Sequence, residues 1–405
     1  MNVELQINNS ADKNARFVTW APSPCRIRVT NPTGVIAPIV NVRIAGVSAA
    51  GGGGVVFRAG ATGSFSSSLT VPVPINGTSV PFFVAGRRAS TNNGDVTIEA
   101  RTGTTAVGSV PVMVRIRKNA NRLTPAERDR FVAAFAQLNN QGAGRFADFR
   151  DMHTQVSSPQ AHGAPGFLPW HRAYLLDLER ELQAIDPSVS LPYWRFDQAA
   201  PNIFTLDFLG VSDSVGTVQF SPTNPLQFWR TDGVQGINRR PRFNTAAAPP
   251  GLLTEAQTLG LGNTYAAFSG LEGNPHGSAH VSFGGSISAI PSAARDPLFF
   301  LLHCNVDRLW AKWQRQFGRF NAAQAASYTG DPGNPIGHNL NDTMWPWNGI
   351  TGPPRPPTAP GGAMAASPCA SAPGPQPRVR DSLDFQGSVN PAARMGFDYD
   401  DVPFA

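Results

Sequence analysis

The segment DPLFFLLHCNVDRLWAKW, residues 296–313, is the strongest constraint on how this chain folds. Asp followed by Pro favours a helix start, because the carboxylate accepts from free backbone amides and Pro needs no partner at the first helical position. The segment therefore predicts a buried helix. Phe299, His303 and Asp307 are spaced four residues apart and lie on one face of it. A histidine within so apolar a helix requires a structural or chemical reason.

The first 118 residues have a different pattern. Seven short runs rich in β-branched residues, many of them alternating, are separated by Gly, Asn and Pro, which is typical of strands and turns. We predict an all-β sandwich over residues 1–118. This part contains no histidine, so we expect an accessory domain that covers a site entrance or mediates assembly into a homo-oligomer.

Near residue 119 the pattern changes to helical spacing. Thr124 and Pro125 form a cap and a helix start, and apolar residues then recur on one stripe. We predict a mostly α-helical core domain over residues 119–405, with a loop rich in Pro, Gly and Ala over residues 351–377. A second amphipathic helix is expected to carry His171 in its first turn.

Composition excludes several classes of function. The formal net charge is +6, but the basic residues are scattered and form no stripe that would indicate a nucleic-acid partner. The polar N-terminus has no apolar signal core, and no run of 18 apolar residues predicts a membrane span. We therefore expect a soluble, cytoplasmic protein. Three cysteines are too few for a disulfide framework, although one long-range bridge stays open.

The histidines are the main chemical observation. The chain has seven, and six of them form two sets of three: His153, His162, His171 and His276, His280, His303. Imidazole is the commonest metal ligand among side chains, and the flanking segments FLPWHR and FFLLHCNV are apolar or aromatic. We predict two metal ions, one per set. The alternative for each histidine is a hydrogen-bonded structural residue, which is the interpretation we give to His338.

Ligand chemistry narrows the choice of metal. Three imidazoles without a thiolate or carboxylate suit copper or zinc, and two adjacent sites of this kind favour a redox pair that binds O2. The sequence therefore predicts two copper ions. A structural zinc site is the alternative.

Two segments resemble known copper signatures. HGAPGFLPWHR is similar to the copper-A signature of the tyrosinase and catechol oxidase (polyphenol oxidase) family, and LEGNPHGSAHVSFGG with SAARDPLFFLLHCNVDRLWAKWQ is similar to its copper-B signature. The resemblance covers residues 120–400. It implies a type 3 dicopper site in a four-helix bundle within the mostly α-helical core. His153, His162 and His171 would hold copper A, and His276, His280 and His303 would hold copper B.

Three further residues receive roles near this site. Glu272 resembles the family glutamate that holds a water near copper B, which makes it the candidate catalytic base. Asp307 is expected to accept from an imidazole N–H and fix its tautomer, with a surface ion pair as the alternative. Phe299 is expected to pack beside the coppers or, alternatively, to be an ordinary core residue.

The chain also departs from the family pattern. Leu302 stands where many members have a second histidine, and Gly277 stands where strongly monophenol-active members often carry Asn. No cysteine lies near His162, so the Cys–His thioether of some relatives is absent. The resemblance thus implies stronger diphenol oxidation than monophenol hydroxylation.

These observations predict a dicopper oxidase that uses O2 to convert o-diphenols into o-quinones. Weaker monophenol o-hydroxylation or o-aminophenol oxidation is an additional expectation. The alternative is a hemocyanin-like O2-binding protein that uses the same six histidines. The expected partners are a small phenol and O2, with neither nucleic acid nor membrane. The loop SISAIPS, residues 286–292, is expected to border the substrate pocket.

Overall fold

The computed structural model describes residues 1–334 and 336–404. The chain forms two compact units, one of residues 1–116, 367–372 and 386–405 and one of residues 117–366 and 373–385. The predicted all-β N-terminal region and helical core are both present. The predicted domain boundary at residue 118 remains a prediction, since spatial grouping does not establish independent folding.

The first unit is built from nine strands in two sheets. They are β1 Asn2–Ile7, β2 Phe17–Val18, β3 Ser23–Asn31, β4 Ile39–Ser48, β5 Gly54–Arg58, β6 Ser68–Pro74, β7 Val80–Arg88, β8 Val96–Thr102 and β9 Thr105–Val114. The strand orders are β1-β3-β7-β5 and β2-β9-β8-β4-β6. Alternate side chains such as Val96, Ile98 and Ala100 point inward, and buried residues of both sheets form one hydrophobic core.

Strand β1 is not among the seven strands predicted from the sequence. The seven predicted runs correspond to β3–β9, whereas the N-terminus was expected to be only a polar segment. In the structure β1 pairs antiparallel with β3, and Val3, Leu5 and Ile7 enter the core. The alternation of these apolar residues with polar ones is the signal that indicates a half-buried strand.

The second unit is mostly helical. Its α-helices are α1 Pro125–Asn139, α2 Phe146–Met152, α3 Ser158–Ala161, α4 Phe167–Ile185, α5 Glu255–Leu259, α6 Tyr265–Phe268, α7 Ser278–Val281 and α8 Leu298–Phe317. Its short strands are β10 Val211–Ser212, β11 Val218–Gln219, β12 Arg230–Thr231, β13 Val234–Gln235, β14 Arg239–Pro241 and β15 Phe283–Gly285. Helix α4 packs against α1 and α8. Within the described part of the chain, no helix has both the length and the apolar character to cross a bilayer.

Local chemistry explains where the helices begin and end. At α1, Thr124 and Glu127 form the expected reciprocal capping box. At α8, the Asp296 carboxylate accepts from the Leu298 amide at 2.9 Å, and the helix ends at Gly318, whose φ of 64° favours glycine. The three cysteines are buried and free, so the long-range disulfide left open by the sequence does not form.

A buried ion pair attaches the start of α8 to strand β14. Nε and Nη2 of Arg239 donate to the two carboxylate oxygens of Asp296 at 2.8 and 2.6 Å, and neither side chain is exposed. Nη1 of the same guanidinium donates to the Leu209 carbonyl at 2.7 Å. Because both charges are fully paired, their burial is tolerated and the start of the helix is fixed.

Replacing Arg239 by Ala should lower the free energy of unfolding by about 3–5 kcal/mol, because the buried Asp296 carboxylate loses its partner. The control is Arg240→Ala at the next, exposed position of the same strand, where we expect a change within about 0.5 kcal/mol. Denaturant unfolding of the metal-free protein, followed by circular dichroism, measures both values. Equal effects of the two substitutions would contradict this role for the ion pair.

Candidate metal centre

The first histidine triad comes from one helix and two helix ends. His153 directly follows α2, His162 directly follows α3, and His171 lies within α4. One ring nitrogen of each lies within 4.8 Å of the others, and the Nε2 atoms of His153 and His162 are 3.3 Å apart. The predicted position of His171 was wrong: α4 begins at Phe167, so this histidine lies in the second turn. Pro169 is accommodated in the first turn, where its missing N–H needs no helical partner.

The second triad is assembled from a short helical segment and the central helix. His276 lies in the π-helical turn Gly273–Gly277, His280 lies in the adjoining α7, and His303 lies in α8. Nε2 of His303 is 3.3 Å from Nε2 of His276 and 3.1 Å from Nε2 of His280. The three rings therefore direct nitrogen atoms toward one point.

The two triads adjoin each other. The rings of His171 and His303, one from each triad, stack with centroids 4.2 Å apart and an angle of 9° between their planes. Phe299 lies against His303 at 4.2 Å and against His153 at 4.6 Å, so it also contacts both triads. This arrangement suits a pair of neighbouring metal ions.

Backbone carbonyls orient three of the imidazoles. Nδ1 of His171 donates to the Phe167 carbonyl at 2.9 Å, and Nδ1 of His276 donates to the Glu272 carbonyl at 2.7 Å. Nδ1 of His280 donates to the Ile287 carbonyl, also at 2.7 Å. Because a carbonyl can only accept, the proton is on Nδ1 and the Nε2 lone pair faces the triad. These carbonyl partners were not predicted, because every residue offers a carbonyl. For His171 and His276 the spacing of four residues is the only signal in the sequence.

Burial keeps the imidazoles neutral. Desolvation is the main cause that lowers the pKa of all six, and for most of them neighbouring histidines lower it further. The pKa falls to about 3 for His153, about 2 for His162 and about 4 for His280, and it lies well below the ordinary value for His171, His276 and His303. Neutral imidazoles are the form that binds metals.

The donor atoms fit a bound cation better than they fit one another. His276 and His280 both direct lone pairs at Nε2 of His303, which carries at most one proton for the two. Nε2 of His171 is buried and has no hydrogen-bond partner among the described residues. One cation per triad would accept all of these lone pairs. Three nitrogen donors per site, with no thiolate or carboxylate, fit copper.

The structure corrects the contact predicted for Asp307. Its carboxylate accepts from Nε of Arg172 at 2.5 Å and from Nη1 of Arg117 at 3.2 Å, and all three side chains are buried. Nδ1 of His303 has no hydrogen-bond partner within the described chain. The acid therefore binds guanidinium groups rather than fixing an imidazole tautomer, and it is not the surface acid of the alternative hypothesis. Guanidinium groups satisfy a buried carboxylate with charge-assisted hydrogen bonds, which a neutral imidazole cannot match.

A cavity of about 720 Å³ opens on both triads. Its lining includes His153 and His162 from the first triad and His276 and His280 from the second. The loop expected to border the pocket contributes Ile287, Ser288, Ala289 and Ile290. Among the described lining residues Glu272 supplies the one carboxylate, and there is no Lys or Arg. The cavity thus combines an apolar wall with a single acid.

Glu272 and Gly277 meet at the wall of this cavity. Oε1 of Glu272 accepts from the Gly163 amide at 2.7 Å, and burial raises the pKa of this carboxyl to about 7 despite that hydrogen bond. A Cβ atom added at Gly277 would lie 3.3 Å from the Glu272 carbonyl oxygen. A side chain at residue 277 would therefore meet the backbone of Glu272 at the wall of the cavity that both residues line.

The chain is similar to several known proteins. The family model for the common central domain of tyrosinase matches residues 143–316. The tyrosinase of Streptomyces glaucescens is 36% identical in a 266-residue alignment that covers 58% of this chain and 92% of that protein. The tyrosinase of Streptomyces antibioticus is 33% identical over 268 residues, 58% of this chain and 94% of that protein. A functional unit of octopus hemocyanin matches with a TM-score of 0.47 and 20% identity, covering 71% of this chain and 69% of that one.

Each triad should bind its copper separately. We expect His162→Ala and His280→Ala each to lower the copper content of loaded, desalted protein from about two to about one ion per chain, because each removes one of three ligands. The control is Cys304→Ala, next to His303, whose thiol contacts the Leu191 carbonyl at 3.7 Å and whose loss should leave the copper content unchanged. Elemental analysis measures all three. Full copper content in either histidine variant would contradict the assignment of that triad.

Proposed function

This chain belongs to the tyrosinase family of type 3 copper proteins, and from that premise we propose that it oxidises o-diphenols to o-quinones with O2. The family binds two copper ions, and the two histidine triads are suited to hold them. The observation that carries the proposal is the convergence of six neutral imidazoles beside an apolar cavity large enough for an aromatic ring. The predicted four-helix bundle would consist of helices α2, α4, α7 and α8. These helices carry or adjoin His153, His171, His280 and His303.

The overall reaction defines what the protein must provide. Each catechol loses two electrons and two protons, so two catechols and one O2 give two quinones and two waters. When bound, the copper pair supplies O2 binding and the electron transfer. The chain supplies the orientation of the imidazoles, an apolar site that restricts water, and a group that accepts a proton from the phenol.

Glu272 is the proposed proton acceptor. Its carboxyl faces the cavity, and a pKa of about 7 allows it both to take a proton and to release it near neutral pH. The Gly163 amide holds Oε1 and so fixes the direction of the carboxylate. The same acid thus has a chemical role and a contact with the loop that carries His162.

The wall of the cavity favours uncharged o-diphenols. Its described lining residues include no Lys or Arg that could pair with a carboxylate on the substrate. Gly277 places no polar side chain beside Glu272, and we propose that monophenol o-hydroxylation is for this reason weaker than diphenol oxidation. Oxidation of o-aminophenols remains an additional expectation, because these substrates present the same pair of adjacent donor atoms.

The hemocyanin-like carrier is the second candidate. A cavity of about 720 Å³ that reaches four of the histidines is far larger than O2 requires, which supports the oxidase over the carrier. Assembly through residues 1–118 and a cytoplasmic location remain predictions.

Oxygen uptake tests the oxidase directly. We expect copper-loaded protein to consume O2 when catechol is added and to form quinone at two molecules per O2, because the copper pair returns to its starting state after each cycle. An oxygen electrode and quinone absorbance measure the two quantities. Protein that carries two coppers and binds O2 reversibly without consuming catechol would reject the oxidase and favour the carrier.

Replacing Glu272 by Gln should lower kcat for catechol by about 100-fold or more, because the amide cannot accept the proton. The amide oxygen can still accept from Gly163, so the copper content should stay at the wild-type value. Steady-state kinetics with parallel copper analysis separates the two effects. An unchanged kcat at full copper content would remove Glu272 from the proposed chemistry.

Replacing Gly277 by Asn should raise the ratio of monophenol to diphenol activity by about tenfold, the value of one added hydrogen bond to the proton acceptor or its water. Gly270→Asn is the matched control, because a side chain there meets no atom within 4 Å and Gly270 does not line the cavity. Rates with a monophenol and its matching catechol give the ratio. Equal ratios in both variants would show that residue 277 does not set this preference.

A further inference from the structure

His162 is held differently from the three imidazoles that donate to backbone carbonyls. Three imidazoles are oriented by backbone carbonyls, whereas Nδ1 of His162 has no hydrogen-bond partner among the residues described. Its backbone lies between the four-residue helix α3 and the start of α4. Nδ1 of His153 and Nδ1 of His303 also have no partner in the described chain, but His153 directly follows the seven-residue helix α2 and His303 lies in the middle of the 20-residue helix α8. The position of the His162 ring therefore depends on what holds residues 159–166.

His338 holds this segment on both sides of His162. Nδ1 of His338 accepts from the Gly166 amide at 3.1 Å, and its Nε2 donates to the Pro159 carbonyl at 2.9 Å. The amide can only donate and the carbonyl can only accept, so the ring is neutral with its proton on Nε2. Burial lowers the pKa of His338, which favours this neutral form. One ring thus joins the residue three positions before His162 to the residue four positions after it.

The backbone of His338 is itself held in place. The His338 amide donates to Oδ2 of Asp342 at 3.1 Å, and its carbonyl accepts from the Tyr328 hydroxyl at 2.9 Å. A Cβ atom at Gly166 would lie 2.7 Å from Nδ1 of His338 and 2.7 Å from the Gly337 carbonyl oxygen. Only glycine permits so close an approach of the two segments. The close contact therefore depends on the backbone of both segments.

Two other side chains also bind the segment. Glu272 accepts from the Gly163 amide, and the Tyr265 hydroxyl donates to the Pro165 carbonyl at 2.5 Å. Both of these contacts lie after His162 in the chain. The bond from His338 to Pro159 is the one of the four that lies before it. Because His338 binds on both sides, it restrains the segment in a way that Glu272 and Tyr265 do not.

We propose that His338 is a positioning residue that clamps residues 159–166 so that His162 meets His153 and His171 at the first copper site. This inference rests on the proposed function, in which the first triad holds copper. His338 does not touch the metal in this proposal, and it acts through the backbone around His162.

The test measures copper affinity at each triad separately. In a His280→Ala background, where copper binds only at the first triad, His338→Leu should weaken copper binding by about 10- to 100-fold, the usual effect of losing a residue that supports a metal ligand. In a His171→Ala background, where copper binds only at the second triad, the same substitution should leave the affinity within about twofold of its value. Competition with a copper chelator measures both affinities.

Two conservative variants keep the test informative if the leucine variant folds poorly. In His338→Asn the amide oxygen can replace Nδ1 toward Gly166, and in His338→Gln the amide nitrogen can replace Nε2 toward Pro159. Each keeps one of the two hydrogen bonds, so each should give a first-triad affinity between those of the wild type and the leucine variant. Affinities equal to the wild type in all three variants would overturn the proposal.

The control is Asn224→Ala. Asn224 is also buried and also bridges backbone groups, since it donates to the carbonyls of Leu206 and Phe208 and accepts from the Leu226 amide. It does so away from both triads, so its loss should lower stability and leave the first-triad affinity unchanged. An equal loss of affinity in this control, or an equal loss at both triads in His338→Leu, would overturn the proposal while leaving the proposed function intact. Absence of copper binding with His338 in place would overturn the proposed function and, with it, this inference.

Discussion

The buried contact between Arg172 and Asp307 determines how α4 meets α8, and the two triads depend on that meeting. The guanidinium donates to the carboxylate, to Gln314 at 2.9 Å and to the Ser382 carbonyl at 2.7 Å, and it lies 3.8 Å from the ring of Trp310. Arg172 follows His171 in the chain, and Asp307 is one helical turn beyond His303. A buried charge pair tolerates little displacement, because a shift leaves an unpaired charge in a dry environment. The stacking of His171 on His303 is therefore set by a polar contact that involves neither ring.

Four of the six candidate ligands are held by three different means. His171 and His276 donate to carbonyls four residues earlier, which needs only a local helical conformation. His280 donates to Ile287 in the cavity loop, so this ligand and the substrate wall are linked. The position of the His162 ring depends on the hydrogen bonds that hold its backbone segment. Two ligands of the second triad are thus oriented by contacts within residues 272–287, whereas His162 of the first triad is restrained by residue 338, which is distant in sequence.

The features that could be predicted from the sequence belong to single secondary-structure elements, whereas contacts between distant segments could not be predicted. The spacing of apolar residues identified seven strands and the helices that begin at Pro125 and Leu298, because periodicity is a property of a single element. The two histidine sets were also predictable, since ligand residues of one kind stand out in a chain with few of them. The partners of Asp307 and the two contacts of His338 were not predictable. They join residues more than 130 positions apart, and only the folded chain determines which buried donor meets which buried acceptor.

Burial is the physical cause that prepares both the metal ligands and the proposed base for their roles. Removal of water disfavours any charged form, so the same burial that lowers the pKa of the histidines raises the pKa of Glu272. The imidazoles therefore stay neutral and can donate lone pairs to a cation at neutral pH. The glutamate becomes a stronger base than an exposed carboxylate and can accept a proton from a phenol. A wetter cavity would move the pKa values of the histidines and of Glu272 back toward their ordinary range, and it would weaken the metal ligands and the base together. The apolar wall of residues 287–290 is therefore as much a part of the site as the residues that react.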